Sequence, residues 1–408
     1  MAGDIAASIE QLPGRFKGNA SSPVEGRVRL HIGRTHRDVV VKRDSCVVEK
    51  PRGRPTVEIT TDAPTWFEID AGRLSGIEAF RDRRLAVRGS IEAALNFEPC
   101  FERPNAGGMR YWIDRVRTSG AEFCALSAGD RSAPPLILLH GLGATKSSWL
   151  TVVPALSGRY RVIALDLPGF GASSKPWGRY SARWFAEHVF GFMDEMGYRR
   201  ARIAGNSMGG RVAMEMAMLD ADRVEALACL APAAAFAKRP MLLLAKISRA
   251  ELGMFVSRLP RRTLRDGLTQ LFAEPSRIDE GWYDAAIDDF LDVWRSPRAR
   301  LAFFTAARNI YLEEPFGDQG FWARLCEMTP PALYVYGRQD VLITARFGPH
   351  VQHILPRAKV LLWDDCGHVP QLEWPDRTAQ VLLDFFGAQD QRRRRRLGAP
   401  LPRVASFR

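Results

Sequence analysis

The chain has 408 residues, a formal net charge of +12, and 46% hydrophobic against 25% charged residues. That length exceeds one ordinary core and predicts two domains, and the composition is that of a soluble globular protein rather than a disordered or fibrous one. Seven of the positive charges are arginines in residues 391–408, a stretch without an acid, so the basic character belongs mainly to the tail.

No apolar run approaches the ~18 residues of a membrane helix. The first residues, MAGDIAASIEQL, lack the basic region and apolar core of a signal peptide. Six cysteines (Cys46, Cys100, Cys124, Cys229, Cys326, Cys366) form no CxxC pair. This is the usage of reduced thiols in a cytoplasmic protein.

In chain order, a short amphipathic helix is expected over Asp4–Leu12. Alternating runs at Arg27–Ile32, Asp38–Lys42, Cys46–Glu49 and Thr56–Thr60 predict strands separated by turns, read as an antiparallel sheet. The period then changes, predicting helices at Pro64–Asp70, Gly76–Arg81 and Ile91–Phe97, with a strand at Leu85–Arg88. Glu102–Arg110 reads as a linker. Two edge strands follow (Tyr111–Arg117, Glu122–Ser127), then apolar strands at Leu136–Leu139, Tyr160–Leu165, Arg202–Ala204, Val224–Leu230, Ala332–Tyr336 and Val360–Trp363.

Loops after four of these strands carry the chemistry. Gly205-Asn206-Ser207-Met208-Gly209 is a strand–turn–helix in which Gly205 and Gly209 leave room for a cramped backbone that exposes the serine hydroxyl. Asp340 follows the Ala332–Tyr336 strand, His368 follows Val360–Trp363, and His140-Gly141-Leu142-Gly143 follows Leu136–Leu139. All four loops are placed at one edge of a parallel sheet, where open α/β folds build their sites. Asp166, after another strand, reads as a structural turn. Ala231–Ala235 offers no acid, which strengthens Asp340 as the acid. Residues 236–328 break the alternation and read as a helical cap, whose aromatics (Phe255, Phe272, Trp282, Phe290, Trp294, Phe303, Phe304) are mostly core, with a minority lining a pocket.

The nucleophile–acid–histidine order, the GNSMG elbow and the HGLG loop resemble the α/β-hydrolase family over about residues 108–388. The resemblance implies a mostly parallel eight-stranded sheet flanked by helices, with a helical cap. It implies Ser207 as nucleophile, His368 as base and Asp340 as the acid that orients it. It also implies an oxyanion hole from the backbone N–H groups of Leu142 and Met208, with His140 and Gly141 as structural members of their loop. A serine at 207 excludes the aspartate-nucleophile branches. Ester or thioester hydrolysis, carbon–carbon bond hydrolysis and acyl transfer remain.

The earlier segment, with a helix ending at Gly72, Ala79 in a short helix, and Arg84–Gly89 opening a last helix, resembles the sterol carrier protein type 2 family over about residues 20–102. An acidic residue often follows the glycine held here by Gly89, whereas this chain has Ser90. The resemblance implies a smaller α+β domain with an apolar tunnel for a fatty-acyl chain or sterol, and tips the expected substrate to a lipid or acyl ester.

The expected organisation is a sterol-carrier-like domain at 1–105, a hydrolase core at 106–235 and 329–388, a cap at 236–328, and a basic disordered tail at 389–408. The reading from another class is a lipid-binding or transfer protein with an inert hydrolase fold. No glycine-rich phosphate loop and no histidine or cysteine set at ligand spacing is present, so neither cofactor nor metal is expected. Arg392–Arg396 lacks interleaved aromatics and a reading motif, so weak contact with an anionic membrane is expected rather than nucleic-acid binding.

Overall fold

The computed structural model describes residues 4–18, 25–104, 107–234 and 258–396. Two sheets organise it. The first has five strands, β1 (Gly26–Ile32), β2 (Thr35–Val41), β3 (Cys46–Glu49), β4 (Val57–Thr61) and β5 (Leu85–Gly89), in the order β3-β2-β1-β4-β5. Alternation puts Val28, Leu30 and Ile32 of β1, with Val57 and Ile59 of β4, on the buried face. Helices Ala63–Asp70, Gly76–Arg81 and Ile91–Phe97 contribute buried Trp66, Ile77 and Ile91 to the same core. Their starts are written locally. Asp62 accepts from the Thr65 amide at 2.7 Å, and Ser75 and Glu78 form a reciprocal capping box.

The sheet is mixed, not antiparallel as expected. β1 pairs with β4 in parallel, Val28 opposite Val57 and Leu30 opposite Ile59. The reason is a crossover through residues 50–56 that carries the chain past β1. Buried Asp38 holds that strap, accepting from Arg27, Arg29 and the Arg52 amide at 2.8–3.0 Å, while Arg29 also donates to the carbonyls of Arg52 and Gly53.

The second sheet has eight strands: β6 (Tyr111–Arg117), β7 (Glu122–Ala128), β8 (Pro135–Leu139), β9 (Arg161–Asp166), β10 (Ala201–Asn206), β11 (Val224–Leu230), β12 (Ala332–Gly337) and β13 (Lys359–Trp363). Their order is β13-β12-β11-β10-β8-β9-β7-β6, with β6–β7 and β7–β9 antiparallel and all other pairs parallel. Strands such as β8 and β10 are buried along nearly their whole length, as covering on both faces requires.

Residues 236–257 of the expected helical cap, Phe255 among them, lie outside the described residues. The described cap comprises helices Arg261–Thr269, Glu280–Trp294, Pro297–Tyr311 and Phe321–Cys326. Helix Glu280–Trp294 packs along β5, the edge of the small sheet, and the Gly89 amide donates to Asp288 at 3.1 Å. An exposed strand edge is covered in this way.

The last helix, Pro375–Arg396, takes in residues 389–396 of the tail expected to be disordered, Arg392–Arg396 among them, and residues 397–408 lie outside the described residues. Asp390 pins it, accepting from the Tyr160 hydroxyl at 3.1 Å and bridging to Arg202. Among the described residues, no helix is long and apolar enough to cross a membrane. Cys100, Cys124, Cys229 and Cys366 are buried.

Candidate active site

Ser207 sits between the end of β10 and helix Met208–Leu219 with φ 52° and ψ −114°. A positive φ is strained for a residue with a Cβ and needs surroundings that enforce it. Here the Ser207 amide donates to the Leu230 carbonyl at 2.9 Å. The flanking glycines supply the space. A Cβ at Gly205 would lie 2.3 Å from the backbone of Gly209, and one at Gly209 would lie 2.1 Å from the Leu139 carbonyl oxygen of β8.

His368 and Asp340 come from the loops after β13 and β12, and His368 Nδ1 lies 2.8 Å from Asp340 Oδ2. The other carboxylate oxygen of Asp340 accepts from the amides of Leu342 and Ile343 at 2.7 and 2.8 Å. The Asp340 side chain is fully buried, so its charge is spent on the imidazole and two amides. Gly337 allows the two loops to meet, since a Cβ there would strike the Cys366 carbonyl oxygen at 2.1 Å.

The loop after β8 is held by His140. Its Nδ1 donates to the Gly141 carbonyl at 2.7 Å, and its Nε2 accepts from the Leu167 amide at 3.0 Å, which fixes one tautomer. Burial lowers its pKa and keeps it neutral. In a trans peptide the carbonyl and the next N–H point opposite ways. Tying back the Gly141 carbonyl therefore aims the Leu142 N–H away from His140. Met208 is the first residue of its helix, so its N–H has no intrahelical carbonyl. A Cβ at Gly141 would come within 3.3 Å of Asn206 Oδ1 and Ser207 Cβ, so this loop passes directly over the elbow.

Ser207, His368, Leu142 and Met208 all line one cavity of about 410 Å³ between core and cap. Of the seven cap aromatics singled out in the sequence, six fall in the described residues, and four of these, Phe272, Trp282, Phe290 and Phe303, also line it, more than the expected minority. In the described cap, helices Glu280–Trp294 and Pro297–Tyr311 contribute Phe290 and Phe303 directly to that wall, while Trp294 and Phe304 pack against those rings.

The comparisons with known proteins follow this geometry. Residues 134–375 match the family model of the alpha/beta hydrolase fold. The chain belongs to that family. Residues 9–102 match the SCP-2 sterol transfer family. A dihydrolipoyllysine-residue acetyltransferase component of an acetoin cleaving system from Pseudomonas putida is 33% identical over 63% of this chain and 65% of that protein, so the match spans just under two thirds of its length. A pimeloyl-[acyl-carrier protein] methyl ester esterase from Aeromonas hydrophila is 29% identical over 62% of this chain and 96% of that enzyme. Among solved structures, a membrane phospholipase A described as a bacterial virulence factor aligns with TM-score 0.59 and 28% identity over 69% of this chain and 87% of that one. The relatives of this α/β hydrolase thus include esterases and an acetyltransferase component, and carbon–carbon bond hydrolases match as well.

Several residues of the α/β hydrolase site carry no sequence signal. The Asn206 side chain donates to the carbonyls of Leu230 and His368 at 3.1 and 3.0 Å, stitching the elbow to the histidine loop. Glu373 accepts from the Gly367 amide at 2.7 Å and the Glu274 amide at 2.8 Å, and His368 donates its amide to the Leu271 carbonyl, so cap and histidine loop are bound together. Asp289 of the cap lines the cavity, accepts from the Thr145 hydroxyl at 2.7 Å, and is pushed up to about 7 by burial.

Asp166 is the structural turn expected of it. It is fully buried and accepts from the Lys146 amide, the Lys146 ammonium and the Ala172 amide at 2.7–2.8 Å. The Lys146 ammonium also bridges to Glu92 of the N-terminal sheet's last helix. Glu92, Cys124 and Asp166 converge as potential metal ligands, but that ammonium already supplies their cation.

Proposed function

We propose that the protein is a serine hydrolase of carboxylic esters whose substrate is a lipid or acyl ester, acting in the cytoplasm without a cofactor. The observation that carries this reading is the His368–Asp340 pair, joined at 2.8 Å, with His368 lining the same cavity as the strained serine of the elbow. An unassisted serine hydroxyl is a poor nucleophile, so His368 takes its proton, and Asp340 holds the tautomer and stabilises the imidazolium that forms. Attack on the ester carbonyl gives a tetrahedral oxyanion, which the N–H groups of Leu142 and Met208 receive. Each such donor contributes ~2.7–4 kcal/mol to the transition state. His368 then returns the proton to the leaving alcohol, and water repeats the sequence on the acyl-enzyme. His140, through the Gly141 carbonyl, positions the Leu142 donor and takes no proton itself.

A lipid or acyl substrate is supported by the aromatic cap lining, the N-terminal sterol-transfer match and the phospholipase A likeness. Arg392–Arg396 at the end of the last helix adds weak contact with anionic membrane surfaces in this reading. The test is hydrolysis of aryl esters by Ser207→Ala. Turnover falls on the order of a millionfold with the fold intact by circular dichroism, and adding His368→Ala costs little more, because residues that act as one unit are not additive. Retention of most esterase activity by Ser207→Ala contradicts the reading.

A further inference from the structure

A second cavity, about 90 Å³, lies inside the N-terminal unit, lined by apolar side chains that include Leu30, Ile59, Trp66, Ile77, Phe80 and Val87. It abuts the catalytic cavity, because Ile91 lines both. On the hydrolase side the same partition is the 147–150 turn, with Ser147 and Ser148 facing the catalytic cavity and Leu150 facing the N-terminal one. Ile91 is the first residue of its helix, and its neighbours are tied on both sides. The Gly89 amide bonds Asp288 of the cap, and Glu92 bridges to Lys146 of the core. The cations on the N-terminal cavity wall are paired, Arg15 with Asp70 and Arg103 with Glu98, so the space suits a hydrocarbon chain rather than a charged headgroup.

We infer that the N-terminal cavity is the far end of the acyl site. The alkyl chain of a substrate whose carbonyl sits at Ser207 runs past Ile91 into the sterol-carrier-like unit, and Ile91 sets the chain length accepted. This rests on the ester-hydrolase reading above and goes beyond it. The N-terminal unit then forms part of the substrate site in each turnover of a long-chain ester and does not hand over a separately bound lipid.

The experiment uses the full chain with Ile91→Trp and Ile91→Ala. Two readouts are compared across acyl lengths from butyryl to palmitoyl: hydrolysis of aryl esters, and the rate at which alkyl phosphonates label Ser207. Ile91→Trp lowers kcat/KM and labelling about tenfold more for the long chains than for butyryl, the effect of losing roughly two buried methylenes. Ile91→Ala moves the preferred length upward. If Ile91→Trp also loses its butyryl rate, Ile91→Ala alone decides. An unchanged long-to-short ratio in variants that still label Ser207 overturns the shared acyl site and leaves the hydrolase reading standing. A wild-type protein that no phosphonate labels overturns both.

Discussion

The two cavities treat charge in opposite ways. In the N-terminal one, the wall carboxylate Asp70 is bridged to Arg15, and Glu98, pushed up by burial, is bridged to Arg103 at 2.5 Å. At the catalytic cavity, Asp340, behind His368, puts its charge on that imidazole and two amides, and Asp289 of the wall accepts from the hydroxyls of Thr145 and Ser147 with its carboxyl pushed up to about 7. A space that only holds a chain neutralises every charge around it, whereas a reacting space keeps poised groups and bears the cost. In the join between them, Lys146 and Asp166 are as buried as core residues, and Glu92 is half-buried.

That join gives the largest expected effect on stability. Lys146→Met leaves the buried Asp166 carboxylate and its neighbour Glu92 without their cation, and breaking a buried bridge in this way costs about 3–5 kcal/mol. Urea unfolding measures it. A loss below about 1 kcal/mol would mean that the two regions are joined by packing and not by this ammonium.

Asp289 sharpens the contrast through pH. Burial pushes its carboxyl up from 3.8 to about 7 in the folded protein, so between those values the native state holds a proton that the unfolded chain has released. Its contribution is full below about pH 4, is lost as pH rises through about 7, and is flat above. Asp289→Asn removes that slope, on the order of a few kcal/mol, and keeps a side-chain oxygen for Thr145. Urea midpoints at about pH 5 and about pH 8 check it, and a variant with the wild-type slope contradicts the assignment.

The smallest effect is at the surface. Changing Arg392–Arg396 to glutamine weakens binding to sedimented anionic vesicles about tenfold at low salt, since each basic side chain adds about 1 kcal/mol and ordering costs offset most of the sum. Equal sedimentation by both forms removes the membrane contact.

The sequence made the catalytic loops legible because each requirement is local. A strand ends, a glycine opens the backbone, and a polar residue follows, as at Gly205–Gly209 and Gly337–Asp340. What it hid depends on which distant segments meet. Alternation in β1 and β4 marks both as strands but says nothing of their direction, and the parallel pairing follows from a strap held by Asp38. Arg392–Arg396 reads as a solvated run, yet Asp390 anchors the helix that contains it through Arg202 and Tyr160, far upstream. Asn206 sat in view within the elbow, but its bond to the His368 carbonyl spans 162 residues. Ile91 and Glu92 open one helix and Asp289 lies on another almost 200 residues away, and their importance appears only once the small sheet packs against the cap.

The central claim is that Ser207 attacks the substrate carbonyl with His368 as its base. The most direct measurement is to quench the protein during turnover of an aryl butyrate and map the acyl group by peptide mass. The account predicts one butyryl group on Ser207, formed in a burst in the wild-type protein and strongly suppressed in His368→Ala. Turnover with no acyl group on Ser207, or with the acyl group on another residue, would contradict it.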